Sequence, residues 1–322
     1  MIIVTGGAGF IGSAVVWKLN EQGMDDVLVV DNLARTEKWK NLVNRTYRDY
    51  VHKDDFLDQL EKNAFRAIEA IVHMGACSST TESDADFLME NNFHYTVRLA
   101  EYCLQKGIRF INASSAATYG NGACGFSDDM DRLHALKPMN MYGYSKHLFD
   151  GWALRSRAMN RLVSLKFFNV FGPNEFHKQD MRSMVLKGFL QIRETDGIRL
   201  FKSYHPSYPD GGQRRDFIYV KDCVDVIAWL LANPSVVGLF NVGTGRDRTW
   251  NDLASALFQA MGKPVRIEYI DMPETLKNKY QYFTKASMDK LPAAGYPTPF
   301  TGLEDAVHDY VTHYLQTEDP YL

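Results

Sequence analysis

Three glycines at a fixed spacing, Gly6, Gly9 and Gly12, stand where a chain could cradle a pyrophosphate. They lie in Thr5-Gly6-Gly7-Ala8-Gly9-Phe10-Ile11-Gly12-Ser13, a G-x-x-G-x-x-G run. One glycine permits the tight turn, one lets backbone approach the phosphates, and one lets the next helix pack close to the preceding strand. The helix N-terminus then offers free N–H groups and partial positive charge to an anion. Asp31, nineteen residues after Gly12, ends the run Val27-Leu28-Val29-Val30, where such a fold places a carboxylate for the adenosine ribose hydroxyls. Arg35 and Lys38 follow it and suit either a solvated surface or a 2′-phosphate. Asp31 leans towards NAD and the cations towards NADP, and the residues alone leave that choice open.

Further along, Tyr142 and Lys146 lie four apart on one helical face, about 6 Å apart at Cβ. On their own, a tyrosine and a lysine at that spacing are usually a solvated helix pair. Ser114 and Ser115 end the strand Ile108–Ala113, where two hydroxyls suit a ligand crevice or simply a turn. The run Gly75-Ala76-Cys77-Ser78-Ser79 follows the strand Ala70-Ile71-Val72-His73-Met74, and its small side chains let a flat ligand approach the backbone. His73 reads as a packed core histidine. Asn91 and Asn92 fall within a helical segment from about 84 to 106, one facing a cofactor or both facing solvent.

The elements that must position these groups alternate. Ile2-Ile3-Val4 reads as a buried strand and Ala14 to Gln22 as a helix stopped by Gly23. The segment 121–137 reads as a loop before a helix that opens at Met139 and continues to about Met159. Leu162 to Phe168 is a sixth strand, hydrophobic along its length, ending in Asn169-Val170-Phe171-Gly172-Pro173. This is the pattern of an α/β fold, a doubly wound parallel sheet of Rossmann type. After Asn174 the alternation loosens into a substrate-facing region to about Arg215. A strand through Arg214–Val220 follows, with Asp222 as the expected helix N-cap, then a helix to Leu231, a short strand at 239–242 and a final amphipathic helix near 303–315. Residues 1–168 are thus expected to form the dinucleotide domain, receiving 215–245, and 169–322 a smaller, mainly substrate-binding C-terminal lobe.

At 322 residues, 45% hydrophobic and 23% charged, the chain can bury a sizeable core. A net charge of −3 and the lack of a long basic run argue against nucleic acid as a partner. No window approaches about 18 consecutive apolar residues, so no membrane span is expected. The first strand starts at Ile2, leaving no room for a signal peptide. Cys77, Cys103, Cys124 and Cys223 are far apart, which suits reduced thiols better than a metal site or disulfides. The expectation is a soluble cytoplasmic protein without a metal.

Taken together, the T-G-G-A-G-F-I-G fingerprint, Ser114-Ser115, Tyr142 with Lys146, and R-D-F-I-Y-V-K-D (215–222) resemble the extended short-chain dehydrogenase/reductases. M-G-A-C-S-S-T-T-E (74–82), S-S-A-A-T-Y-G (114–120), Y-G-Y-S-K (142–146) and F-F-N-V-F-G-P-N-E-F-H-K (167–178) resemble, within them, the ADP-heptose 6-epimerases of lipopolysaccharide core synthesis. That resemblance implies Tyr142 as an acid/base, with Lys146 beside it and on the nicotinamide ribose, and Ser115 hydrogen-bonded to the reacting oxygen. A free tyrosine titrates at about 10, and a lysine cation and oxidised nicotinamide should lower that value. It implies a second acid/base at Lys178, because one acid cannot easily serve a carbonyl presented in either orientation. Read without the resemblance, Lys178 is a loop lysine.

The same resemblance implies substrate contacts at Asn169, Lys187, Phe201, Arg215 and Tyr280, with the forked donors of Arg215 suited to the diphosphate. For the cofactor it implies Phe10, Ile11, Asp31, Asn32, Lys38 and Lys53, then Met74, Gly75, Ala76, Cys77 and Ser78, and finally Asn91 and Val170. It favours NADP over NAD, and a homo-oligomer such as a pentamer. Between Phe201 and Arg215 the chain reads K-S-Y-H-P-S-Y-P-D-G-G-Q-R, longer than the usual segment, which leaves the register of 202–213 open. A dehydratase of the same fold would carry an acidic pair beside the serines, where this chain has Ala116-Ala117-Thr118. A UDP-hexose 4-epimerase is the nearer alternative. A non-catalytic dinucleotide sensor would tend to lose Tyr142 or Lys146, and both are present.

Overall fold

The computed structural model describes residues 1–277 and 280–322. Its first part runs β1 (Ile2–Thr5), α1 (Phe10–Glu21), β2 (Val27–Asp31), β3 (Asp49–His52), α2 (Lys53–Glu61) and β4 (Ala70–His73). A short helix α3 (Ala85–Leu88) passes through a π-turn at Met89–His94 into α4 (Tyr95–Lys106), followed by β5 (Arg109–Ser115), α5 (Met141–Arg155) and β6 (Val163–Phe167). Then come β7 (Asn169–Phe171), α6 (Met184–Thr195), β8 (Ile198–Phe201), β9 (Arg214–Tyr219), α7 (Val220–Ala232), β10 (Gly238–Val242), β11 (Asp247–Thr249), α8 (Trp250–Ala260) and β12 (Ile267–Ile270). A helix at Leu303–Tyr310 lies near the end.

Seven parallel strands in the order β10-β6-β5-β4-β1-β2-β3 form the main sheet. Successive residues of a strand point to opposite faces, and here both faces are covered. Ile2, Val4, Val27, Val29 and Val72 join the core beneath α1 and α7, while Ile3, Leu28, Val30, Ile71 and Phe110 join the core beneath α2, α4 and α5. Burying each such side chain stabilises by about 1.5–3 kcal/mol, so the near-continuous apolar runs specify this sheet. The strand order reverses between β1 and β4, which opens a crevice at their C-terminal ends.

Several boundaries differ from the sequence reading. Helix α1 starts at Phe10 and not Ala14, because Gly9 is its N-cap and Gly12 sits inside it. The edge strand β3 and α2 were unforeseen, since Asp49-Tyr50-Val51-His52 has one buried residue and shows little pattern. Helix α5 ends at Arg155, after which Arg157 takes a left-handed φ of 60° and breaks the path to Met159. Asp222 is not a cap: Tyr219 holds that position, and the Asp222 carboxylate accepts from Thr301 N at 2.9 Å and Thr301 Oγ1 at 2.7 Å. The sixth strand is not apolar throughout, because Ser164 and Lys166 are wholly buried in it. The stretch 215–245 divides. Strand β10 joins the main sheet and α7 packs on α1, whereas β9 pairs with β7 and β11 in a separate three-stranded sheet.

Candidate active site

The crevice is a cleft of about 800 Å³ with an adjoining pocket of about 180 Å³. The glycine turn forms one end, and the three glycines divide the work. Gly6 has a φ of +65°, and a Cβ there would stand 2.6 Å from Gly75 Cα. A Cβ on Gly12 would stand 2.0 Å from Gly6 O, so this glycine lets α1 close onto the turn. Gly9, the N-cap, has only Gly6 O near its missing Cβ, at 3.1 Å, and is free to face a ligand. No side chain caps α1 and its first turn carries no acidic residue, leaving N–H groups for an anion. Gly12→Ala is therefore expected to cost about 1–3 kcal/mol or more of stability and most of the bound dinucleotide. Thermal unfolding and the cofactor content of purified protein measure this, and wild-type values for both would refute the assignment.

Beside the turn, the buried Asp31 carboxylate accepts from Ala8 N at 2.9 Å, Asn32 N at 2.6 Å and Lys38 Nζ at 2.8 Å. Lys38 also donates to Asn32 O at 2.9 Å. Asn32, Lys53 and Asn91 line the smaller pocket with Asp31 and Lys38. Asn92 turns inward and clasps both the N–H and the C=O of Cys77, each at 2.9 Å, so Asn91 faces the pocket while Asn92 is a buried core residue and not a solvent-facing one. The π-turn carries them both, in keeping with the frequent use of such turns at functional sites. His73 is a core residue, bonded to Thr5 Oγ1 at 2.5 Å and Thr96 Oγ1 at 2.9 Å, and burial holds its pKa well below the usual histidine range.

The chemistry-bearing pair depends on how α5 begins. Asn140 caps it by accepting from Gly143 N at 2.8 Å. A Cβ on Gly143 would meet Ala117 O at 2.7 Å, so α5 lies against the turn that follows Ser115. This brings the Tyr142 phenol beside Ser115 in the cleft. Burial pushes the phenol pKa up from 10, Ser115 opposes that, and Cys77 adds to it. In the protein alone burial outweighs the rest and holds the phenol above its ordinary value, while the expected lowering concerns the site with oxidised nicotinamide bound. Lys146 is 3% exposed, and among the described residues its Nζ has no hydrogen-bond partner. Burial lowers its pKa to about 8, with Asp150 and Cys77 opposing. A buried ammonium without a partner, facing a cleft with a glycine cradle at one end, fits the ribose hydroxyls of a dinucleotide.

Lys178 comes from the turn Phe176–Met181 after β7, and its Nζ stands 5.0 Å from the Phe10 ring centre. Burial lowers its pKa, Lys187 assists, and the buried Glu175 opposes. Glu175 in turn accepts from Ser183 N at 2.5 Å and Ser183 Oγ at 2.7 Å, tying this turn to the start of α6. A lysine so placed can give or take a proton more readily than one in solvent.

Of the expected site residues, Gly6, Gly9, Phe10, Ile11, Gly12, Met74, Gly75, Ala76, Cys77, Ser78 and Val170 line the main cleft, with Ser115, Tyr142, Lys146, Asn169 and Lys178. Arg215, Phe201 and Tyr280 do not. Their cluster adjoins the cleft through Trp250: the Arg215 guanidinium lies 5.6 Å from the Trp250 ring and 5.4 Å from that of Tyr280, with Phe201 edge-on to Tyr280. Here Arg215 donates to the carbonyls of Arg214 and Gln281, which engages two of its donors with backbone. Lys187 also stands aside, its Nζ on Asp180 O at 2.5 Å. Trp250, Asn140 and His177 line the cleft and were missed. The capping box at Thr249 and Asp252 marks Trp250 as a helix start, and Asn140 is a plain N-cap type, so both carried a local signal.

The family model described as the NAD dependent epimerase/dehydratase family matches residues 2–243. The ADP-L-glycero-D-manno-heptose-6-epimerase of Nitratidesulfovibrio vulgaris (strain DP4) is 63% identical over 323 residues, covering 100% of both chains. The crystal structure of the Helicobacter pylori ADP-L-glycero-D-manno-heptose-6-epimerase superposes with a TM-score of 0.82 at 29% identity, over 97% of this chain and 95% of that one. A Thermus thermophilus UDP-glucose 4-epimerase, solved in complex with NAD, gives 0.76 at 27% identity, over 95% of this chain and 96% of its own.

Proposed function

The chain belongs to the NAD dependent epimerase/dehydratase family, and on that footing we propose that it interconverts ADP-D-glycero-D-manno-heptose and ADP-L-glycero-D-manno-heptose at C6, with bound NADP, for lipopolysaccharide core synthesis. The substrate is taken from the full-length relative at 63% identity. The observation that carries the reaction is the convergence of two proton-bearing groups, Tyr142 and Lys178, from separate elements on one cleft. The nicotinamide, when bound, supplies the hydride acceptor and donor for the sugar carbon. The glycine turn, Asp31, Lys38, Lys53 and Lys146 would hold the dinucleotide. Tyr142, beside Ser115, exchanges a proton with the sugar oxygen presented in one orientation, and Lys178 serves that oxygen in the other.

NADP is favoured over NAD because Lys38 neutralises Asp31, whose carboxylate would otherwise repel a 2′-phosphate, and Lys53 lines the same pocket. Among the described residues no helix is long and apolar enough to cross a membrane, and all four cysteines are free, which supports a cytoplasmic setting. The reading extends to a homo-oligomer, a pentamer, which mass measurement in solution tests. Purified protein with NADP is expected to convert the D-glycero epimer into the L-glycero epimer. Turnover of UDP-galactose with none of the heptose would overturn the assignment.

A further inference from the structure

Behind Ser115 a pair of charges sits wholly inside the protein. The side chains of Asp150 on α5 and Lys166 on β6 have no exposed surface and lie 3.3 Å apart. Asp150 also accepts from Ser114 Oγ at 2.7 Å and from Ser164 Oγ at 2.8 Å. Lys166 Nζ donates to Thr118 Oγ1 at 2.5 Å and lies 4.5 Å from the Tyr119 ring centre. Thr118 Oγ1 in turn donates to the backbone oxygen of Ser115 at 2.8 Å. Ser114 and Lys166 are register partners on neighbouring strands, which puts both on the face that α5 covers. Ser115 is therefore gripped twice: Asp150 holds the residue before it, and Lys166 holds its own carbonyl through Thr118.

A buried ion pair of this kind is often no more stabilising than apolar residues of similar volume. A parallel strand covered on both faces is ordinarily apolar throughout. Stability alone thus gives little reason for Lys166. We propose that the Asp150–Lys166 pair is a positioning device for the reaction, fixing Ser115 against Tyr142 and holding a compensating negative charge one helical turn from Lys146. This rests on the acid/base reading given above. The groups facing Lys146 are Asp150 on its own helix, Cys77 from the loop after β4 and the neutral His73 on β4. Those facing Asp150 are Lys146 and His147 on α5, Lys166 on β6 and Tyr119 after β5. Asp150 favours the Lys146 ammonium, so its removal lets burial act unopposed from α5, and the ammonium is lost at lower pH.

The test is Asp150→Asn with Lys166→Met, which removes both charges and leaves neither unpaired. NADP affinity is measured from pH 6 to 10 alongside turnover and thermal unfolding. In wild type, affinity is expected to fall as pH rises through about 8. In the double variant that fall should move down by about one pH unit, and kcat should drop about 10²-fold. The affinity profile needs no sugar, so failure of the substrate assignment would leave this readout standing. An unchanged profile overturns the proposal, whether activity stays normal or falls together with stability. Should the double variant not fold, Thr118→Val cuts the link to Ser115 and keeps both charges. It should lower kcat about 10-fold with NADP affinity unmoved. Wild-type kcat in that variant, or equal loss of kcat and affinity, overturns the proposal.

Discussion

Tyr142→Phe is expected to lower kcat by about 10³-fold while NADP affinity stays within about two-fold. The substitution removes one oxygen and leaves the ring, so the cleft wall and the start of α5 keep their shape. What is lost is the phenol hydroxyl beside Ser115 in the cleft. Because burial raises its pKa in the protein alone, Tyr142 begins protonated and must be drawn towards its anion by positive charge brought into the cleft. Lys146 and an oxidised nicotinamide are the two sources at hand. Steady-state rates and cofactor titration together check this. A variant that turns over normally would show that another group handles the proton.

Lys178→Met is the second large effect. Methionine keeps the length that packs against Phe10 but carries no proton, so the side chain's volume is preserved while its chemistry is removed. Turnover should fall about 10²-fold or more, with cofactor retention nearly intact. The asymmetry with Tyr142 is informative. If each group serves one orientation of the sugar, either single variant blocks the full inversion, and the double variant should be little worse than the more damaging single one. Near-normal rates in Lys178→Met would return this residue to the role of a packed loop lysine.

Much of this arrangement was legible along the chain. The spacing of Gly6, Gly9 and Gly12 marks the turn, and the closure of α1 by Gly12 onto Gly6 is settled by residues close in sequence, whereas Gly6 also yields to Gly75 from the distant β4 loop. Tyr142 and Lys146 share a helical face by periodicity alone, and the Asn140 cap that starts their helix is equally local. His73 was rightly read as core, since a histidine within a run of buried strand residues has little access to a ligand. Spacing and periodicity say less where a residue's surroundings come from distant segments. Without the family resemblance Lys178 reads as an ordinary loop lysine, and its place beside Phe10 comes from the fold. Arg215 reads as a free fork for a diphosphate, and two of its donors meet the Arg214 and Gln281 carbonyls.

By itself the sequence determined the dinucleotide turn, the doubly wound sheet and the tyrosine–lysine pair, because turn sterics, strand alternation and helical spacing act between near neighbours. Tertiary structure alone decided which buried ammonium is left without a partner, which loop lysine is drawn half-buried into the cleft and which charges are sealed behind Ser115. Those are questions of desolvation and pairing. Lys166 meets Asp150 across β6 and α5, a contact that exists only once the sheet has assembled.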